Sequence, residues 1–386
     1  MHLFNLTLLA SYLWNGGQYE SAIQEPDVPV RAPLRSPMAD ETHAPLFNLH
    51  RELVERSSVS GDEDNAVTYL AQYLRNRNFT VELETVSEEP KRQNIYAYVG
   101  NVRDTKVLLT SHIDTVPPYI PYSVDGDRIY GRGSVDAKNC VAAMTIALSE
   151  LLEDGRVGQG DVGLLFVVDE EVSAKGMQFA DKHLGINSWQ SVIFGEPTEL
   201  KLAIGHKGVA LARYRAHGKA AHSGYPELGV NANEVMIKAL NRILNHKFPQ
   251  SPLLGPSTVN VGHIVGGVAA NVIPAEAEAE VLVRVADDLG AVTTFLRDVA
   301  GSADNLELVE LYAVGPQLLD YNVPGFDSII VKYGTDIPNL HGNFKRYLYG
   351  AGSILRAHGP EEYVTTSDLV ESVDGYKQLV LHSLTN

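Results

Sequence analysis

The sequence predicts an α/β protein: a mixed, largely parallel sheet flanked by helices, with a smaller α+β unit inserted into it. Three observations carry this. "DVGLLFVVDEE", from Asp161 to Glu171, is an apolar run bounded by acids, the pattern of a strand covered on both faces. Helical patterns alternate with short strands on either side of it. Between about Gly208 and Leu311 the texture changes to strand, helix, strand, strand, helix, a series that can close its own core.

Residues 1–45 read as a leader. "LFNLTLLASYLW" has the length of a signal-peptide core, which points to secretion, while Asn5, Thr7 and Ser11 leave an amphipathic or disordered leader open. From Asn15 to Leu46 the chain is polar and carries Pro26, Pro29, Pro33, Pro37 and Pro45, as an extended pro-segment would. The larger domain opens at residues 46–207. From His50 a helical pattern runs into "DNAVTYLAQYLRNRNF", where Val67, Leu70, Ala71 and Leu74 share one face and Asp62 or Asp64 can cap. "TVELETV", "NIYAYVG" and "KVLLTSH" follow as strands, and "VAAMTIALSELLED" as a helix apolar on most faces.

The inserted unit, residues 208–311, contains "GVALARYRAHGKA", the helix "NANEVMIKALNRIL", the strands "STVNVGHIVGG" and "AEAEAEVLVRVADD", and the helix "GAVTTFLRDVAG". Residues 312–386 return to the larger domain with a helix at "GFDSIIVKYG", a Gly-rich loop "YLYGAGSILRAHGP" and a last helix "DLVESVDGYKQLVLHSL". Insertion at a surface loop keeps the host's two halves together.

Composition narrows the functions. The 386 residues exceed one ordinary core, and 44% hydrophobic with 20% charged residues is a globular balance. A net charge of −17 opposes nucleic acid and anionic membrane partners and is compatible with a cation site. Cys140 is the sole cysteine, so disulfides and cysteine-rich zinc sites are excluded, and a metal must be held by His and carboxylates. "NFT" at Asn78 is a glycosylation sequon if the chain is secreted.

Several strand exits carry acids or histidine: "SHID" with His112 and Asp114, "GRGSVDAKN" with Asp136, "FVVDEE" with Glu170 and Glu171, and "IFGEPTE" with Glu196. Ligands of open α/β sheets bind beyond the carboxyl ends of strands, so these can converge. Taken singly, each has a plainer account. His112 can be a surface histidine, Asp136 a helix N-cap, Glu170 and Glu171 a solvated acidic turn, Glu196 a turn acid, and His358 in "RAHGPEE" a loop histidine. Metal chemistry accounts for all of them together. Two zincs sharing a bridging carboxylate need two histidines and three acids, and hydrolysis needs one more carboxylate as general base. Glu170 and Glu171, as neighbours in extended chain, can face opposite ways and divide those tasks.

The set "SHIDTVP", "GRGSVDAKN", "VVDEE", "GEPT" and "AHGPEE" resembles the dinuclear zinc hydrolases that include acetylornithine deacetylase, succinyl-diaminopimelate desuccinylase and glutamate carboxypeptidase. The resemblance covers residues 50 to 386. It implies a zinc-hydrolase catalytic domain with an inserted lid and dimerisation domain, and two zinc ions per chain, with cobalt as an alternative. It assigns His112, Asp136 and Glu196 to one ion and Asp136, Glu171 and His358 to the other, with Asp136 bridging. Glu170 matches the general base, and Asp114 the acid that hydrogen-bonds the other nitrogen of the His112 ring. The bond Asp136–Ala137 is expected to be cis.

In the inserted domain, "GKAAHSGYPELGVNA" is similar to the motif whose histidine, His222, reaches a neighbouring subunit's site and stabilises an oxyanion. "GGVAANVIP" and "EVLVRV" place Asn271 and Arg284 where relatives bind a substrate carboxylate. The loop from Gly350 to Ser353 would shape the pocket, and its form departs from that of the deacetylases. The resemblance thus implies hydrolysis of an amide next to a free carboxylate, with a small peptide or N-acyl amino acid as substrate and a homodimer through the lid. Secretion and the altered loop favour a carboxypeptidase over an N-acyl-amino-acid deacylase. A noncatalytic binding protein of this fold would be expected to have lost ligands or the base, and all six are present.

Overall fold

The computed structural model describes residues 40–385. The signal, pro-segment and secretion expectations rest on residues outside that span. Residues 41–45, expected in the leader, are instead helical: a 3-10 turn Glu41–His43, capped by Asp40, leads into the helix Ala44–Val54. Pro45 lies in that helix's first turn, where its missing N–H costs nothing, so the last leader proline is a helix starter.

Six strands form the main sheet in the order Phe79–Glu88, Lys91–Val99, Val162–Val167, Val107–His112, Ser191–Gly195, Lys345–Tyr349. The last four run parallel to one another, and the first two are antiparallel additions. Val107–His112 and Val162–Val167 are buried at every position because both faces are covered. On one side lie the helices Ala44–Val54, Asp64–Asn76, Lys138–Glu153 and Thr366–Thr385. On the other, Met177 and Ala180 of Lys175–His183 pack with Trp189, Ile337 and Leu340. Parallel strands end on one edge, so His112, the loop after Val167, Glu196 and Gly350 emerge on the same side.

A second sheet, antiparallel, has the order Thr258–Gly266, Glu276–Val285, Gly208–His217, Leu306–Val314. Its two central strands, Glu276–Val285 and Gly208–His217, alternate strictly. Ala277, Ala279, Val281 and Val283 turn inward to the helices Ala232–Leu244 and Leu289–Ala300, and Glu276, Glu278 and Glu280 turn outward. The chain enters this unit through His206, Lys207 and Gly208. A Cβ on Gly208 would lie 2.2 Å from the Val314 carbonyl, so the entering and leaving segments pass too close for any side chain there.

One expected helix is a strand. Ser328–Val331 pairs in parallel with Leu202–His206, because Ile329, Ile330 and Val331 form a β-branched run that packs better on a sheet. No helix among the described residues is long and apolar enough to cross a membrane.

Candidate metal centre and active site

His112 closes its strand with the ring buried. Its Nδ1–H donates to the Asp114 backbone carbonyl at 2.9 Å, which leaves Nε2 with a lone pair facing Asp136 Oδ1 at 3.1 Å and Glu196 Oε1 at 3.7 Å. A lone pair facing two carboxylates is stable only with positive charge between them, either a ring proton or a metal ion. The same pattern recurs one step on. His358 Nε2 stands 3.3 Å from Asp136 Oδ2 and 3.1 Å from Glu171 Oε2. Asp136 therefore turns one oxygen to each histidine.

Two donors on one tetrahedral zinc, each about 2.0–2.2 Å from it, stand about 3.3–3.6 Å apart. The four separations, 3.1 to 3.7 Å, bracket that value. Ligand atoms of His112, Asp136 and Glu171 also lie within 4.8 Å of one another. The donor set, imidazole nitrogen with carboxylate oxygen and no sulfur, suits zinc or cobalt.

Electrostatics say the same. Burial raises the pKa of Glu196 and Glu170 well above the ordinary carboxylate value, with Asp136 adding to it at Glu196, and Glu196 adding to it at Glu170. Glu171 is raised by burial and by Asp136. Burial would lower His112, but its hydrogen bond to Asp136 and the Glu196 and Glu170 charges carry it well above 6.5. His358 is pushed up to about 10 by its bonds to Asp136 and Glu171. Burial opposes ionisation of Asp136 too, yet the two histidines hold its carboxyl below the usual range. Several buried acids and two histidines thus meet at one point, an environment that a divalent cation relieves.

The surroundings fix this arrangement. Asp136 does not cap the helix Lys138–Glu153, whose N-cap is Ala137 without a side-chain bond. Instead the whole stretch is fastened to its neighbours. His50 Nε2 donates to the Ser134 carbonyl at 3.0 Å, Lys138 Nζ reaches the carbonyls of Leu53 and Arg56 at 3.0 and 2.8 Å, and Asn139 donates to the Ala351 carbonyl at 3.0 Å. The bond Asp136–Ala137 is cis.

Two expectations need correction. The Asp114 carboxylate is not the hydrogen-bond partner of His112, since its nearest oxygen is 3.7 Å from Nδ1 and the backbone carbonyl takes the proton. It accepts instead from the backbone N–H of Glu170 at 3.0 Å, of Glu171 at 3.3 Å, and from Ser60 Oγ at 2.6 Å. Glu170 and Glu171 are also not in extended chain. They lie in a turn that Asp169 begins at φ 69°, and Asp114 holds both N–H groups of that turn. Arg92, bonded to Asp169 at 2.5 Å and to the buried Glu63, secures the same turn from below.

Glu196 is tied to the loop after Tyr349. Its N–H donates to the Tyr349 carbonyl at 3.3 Å, and Thr198 Oγ1 accepts from Gly350 N at 3.0 Å. A Cβ on Gly350 would lie 2.5 Å from the Glu196 carbonyl and 2.6 Å from Cys140 Sγ, so this close approach requires glycine. Sequence reasoning missed Asp336, which lines a cavity of about 10 Å³ with His112 and Glu196. Burial lifts its pKa to about 7, and its Oδ1 has no hydrogen-bond partner. It lies in "TDIPNL", which has no metal-ligand spacing to betray it.

A peptidase M20 domain-containing protein of Schizosaccharomyces pombe is 48% identical to the chain over 88% of this chain and 85% of its own length. The chain belongs to the M20 peptidase family. A probable carboxypeptidase of Aspergillus terreus is 44% identical, over 90% of this chain and 89% of its own. The peptidase dimerisation domain of M20 proteins matches residues 204–303, which include the helix Leu289–Ala300 and three strands of the antiparallel sheet. Among solved structures, a Staphylococcus aureus tripeptidase superposes with a TM-score of 0.75 at 21% identity, covering 89% of this chain and 99% of that one. A dinuclear metal-binding M20 peptidase of Bacillus subtilis gives 0.66 at 17%, covering 90% and 99%.

In this M20 chain the dimerisation-domain residues divide into two groups. Arg284 is half-buried beside the Gly334 backbone, where burial lowers its pKa and the charge of Glu170 raises it. It is thus within electrostatic reach of the cluster. His222 and Asn271 lie on neighbouring exposed loops: the Asn271 carbonyl accepts from Ser223 N at 3.0 Å, and His222 pairs with Val272. The His222 ring accepts from Gly224 N at 3.0 Å.

Proposed function

We propose that this M20 peptidase is a metallocarboxypeptidase that hydrolyses the amide bond next to a substrate's free carboxylate and works with two zinc ions per chain. One observation carries this reading. Glu170, a half-buried carboxylate that neither histidine pairs with, lies within the field of Arg284, a half-buried guanidinium. A group able to take a proton thus lies within charge range of one able to hold a carboxylate.

His112, Asp136 and Glu196 would hold one ion, and Asp136, Glu171 and His358 the other. When bound, the ions supply Lewis acidity that acidifies water and polarises the scissile carbonyl. Glu170 accepts the proton as the water oxygen bonds to the carbonyl carbon, then gives it to the nitrogen as the C–N bond breaks. Burial, which raises the basicity of Glu170, prepares it for this. Asp114 keeps the Glu170–Glu171 turn in place through both N–H groups. Arg284 would grip the carboxylate by its fork, aided by Asn271. His222, offered by a second copy in a homodimer built through the dimerisation domain, would donate to the developing oxyanion. The apolar leader supports secretion, and the exposed Asn78 supports glycosylation in that compartment.

The name of the Aspergillus terreus relative favours a carboxypeptidase over a deacylase. A hydrolysis panel of N-acetyl amino acids, dipeptides and N-blocked dipeptides, with chelated enzyme as control, tests it. Cleavage of N-blocked dipeptides that stops on chelation is expected; cleavage confined to acetylated amino acids would overturn the carboxypeptidase reading.

A further inference from the structure

A buried ion pair of no assigned role joins the two segments that carry Asp136 and His358. Arg132 and Glu362 are 2% and 1% exposed, and Arg132 Nη1 meets Glu362 Oε2 at 2.5 Å. Arg132 lies four residues before Asp136, and Glu362 four residues after His358. Each partner also grips the backbone of the other's segment. Glu362 Oε1 accepts from Val135 N at 3.2 Å and Asp136 N at 3.4 Å. Arg132 Nη2 donates to the His358 carbonyl at 3.5 Å, and its Nε to the Pro118 carbonyl at 3.2 Å.

The pair extends a ladder. Tyr363 pairs with Tyr130 in a short antiparallel sheet, and Gly131 N donates to the Glu362 carbonyl at 3.3 Å, just before Arg132 and Glu362 turn inward. The ladder fixes backbone to backbone, and the ion pair carries that registration into the loops. His358 depends on it, since among the described residues no other backbone hydrogen bond holds that residue, which has φ 62°. The Glu196 side has separate ties, from Ser111 Oγ to the Gly195 carbonyl at 2.9 Å and from Glu196 N to Tyr349.

We propose that the buried Arg132–Glu362 pair is a positioning element that sets the separation of Asp136 from His358, so that it governs the second cation subsite, to which it ties both Asp136 and His358, more than the first, which it touches through Asp136 alone. This rests on the two-ion reading above. A buried pair is a poor source of net stability, because desolvation offsets most of its attraction, whereas its bonds to four backbone groups fix geometry. Hydrogen bonds that orient metal ligands typically change affinity about 10–100-fold when removed.

The test is zinc titration of the metal-free full-length protein against a chromophoric chelator, for wild type, Glu362→Gln and the double variant Arg132→Met/Glu362→Met. The double variant removes every polar contact while filling the volume with apolar atoms, a replacement that is often neutral for folding. Wild type should bind two equivalents. Both variants should keep the tight equivalent within about 3-fold and weaken the other by about 10-fold or more, most in the double variant. Two equivalents in wild type with neither, or both alike, weakened in the variants would overturn the positioning role and leave the two-ion reading standing. A single equivalent in wild type would bring down that reading and this inference with it. If both variants lose their melting transition, the pair holds the domain together and the subsite assignment is wrong.

Discussion

The two sheets of this chain handle charge in opposite ways. On the dimerisation-domain sheet, Arg213 pairs with Glu280 at 2.9 Å and Glu310 at 3.2 Å, and Arg215 with Glu278 at 2.7 Å, on a face open to water. Its apolar face is made of Ala, Val and Leu with the buried Tyr214. At the carboxyl edge of the main sheet, Asp114, Asp136, Glu196 and Asp336 are withdrawn from solvent together, with Glu170 half-buried beside them. Exposed pairs are screened and contribute little, while buried acids without counter-charge cost several kcal/mol each. The first arrangement serves solubility and strand register. The second groups His and carboxylate side chains that could hold a metal ion.

The contrast is broken most directly at Glu170. Replacing it with Ala should reduce kcat by about 10²–10⁴-fold while metal content measured by elemental analysis stays at the wild-type level. Appreciable residual turnover would remove Glu170 as the base. Asp114→Asn comes next. The amide must turn an NH₂ toward one of the two backbone N–H groups that the carboxylate now accepts, so the turn bearing Glu170 and Glu171 shifts. A fall in kcat of about 10–100-fold with a lowered melting temperature is expected. If instead Asp114 acted on the His112 ring, the loss would appear first in zinc affinity.

His358 provides a test by pH. Its folded pKa is raised from 6.5 to about 10 by Asp136 and Glu171, so in metal-free protein it contributes stability that is fully present below pH 6.5 and lost as pH rises through about 10. Metal-free wild type should therefore melt above metal-free His358→Gln at pH 6, with the gap closing towards pH 10. A gap independent of pH would show that the ring only packs.

Of the side chains that converge on the main sheet's carboxyl edge, those in "SHID", "DEE" and "GEPT" were legible because each of these short motifs ends or follows a strand and states its position without reference to distant chain. What supports them was not. Arg132 and Glu362 are separated by 230 positions, and Ser60 lies 54 positions from Asp114, and no local periodicity links such partners. The resemblance implies for the Asp114 side chain a role that the structure gives to its backbone carbonyl, and extended-chain geometry does not foresee the turn that Asp169 starts, where the Asp114 carboxylate is engaged instead. The strand at Ser328–Val331 was read as a helix for a related reason. Four residues are too few for periodicity to separate the two, and the pairing with Leu202–His206 decides it.

The smallest effect is expected where charge is most visible. Arg213→Gln removes a guanidinium from two glutamates at once, yet those partners are about half exposed, at 39% and 53%. They can be rehydrated where they stand, and their strands keep their hydrogen bonds and inward Ala and Val side chains. The melting temperature should move by no more than about 2 °C, and less still in high salt. Activity should not change. A large, salt-sensitive loss of stability would mean that this outer ladder carries load, and the division between a solvating sheet face and a working sheet edge would then have to be redrawn.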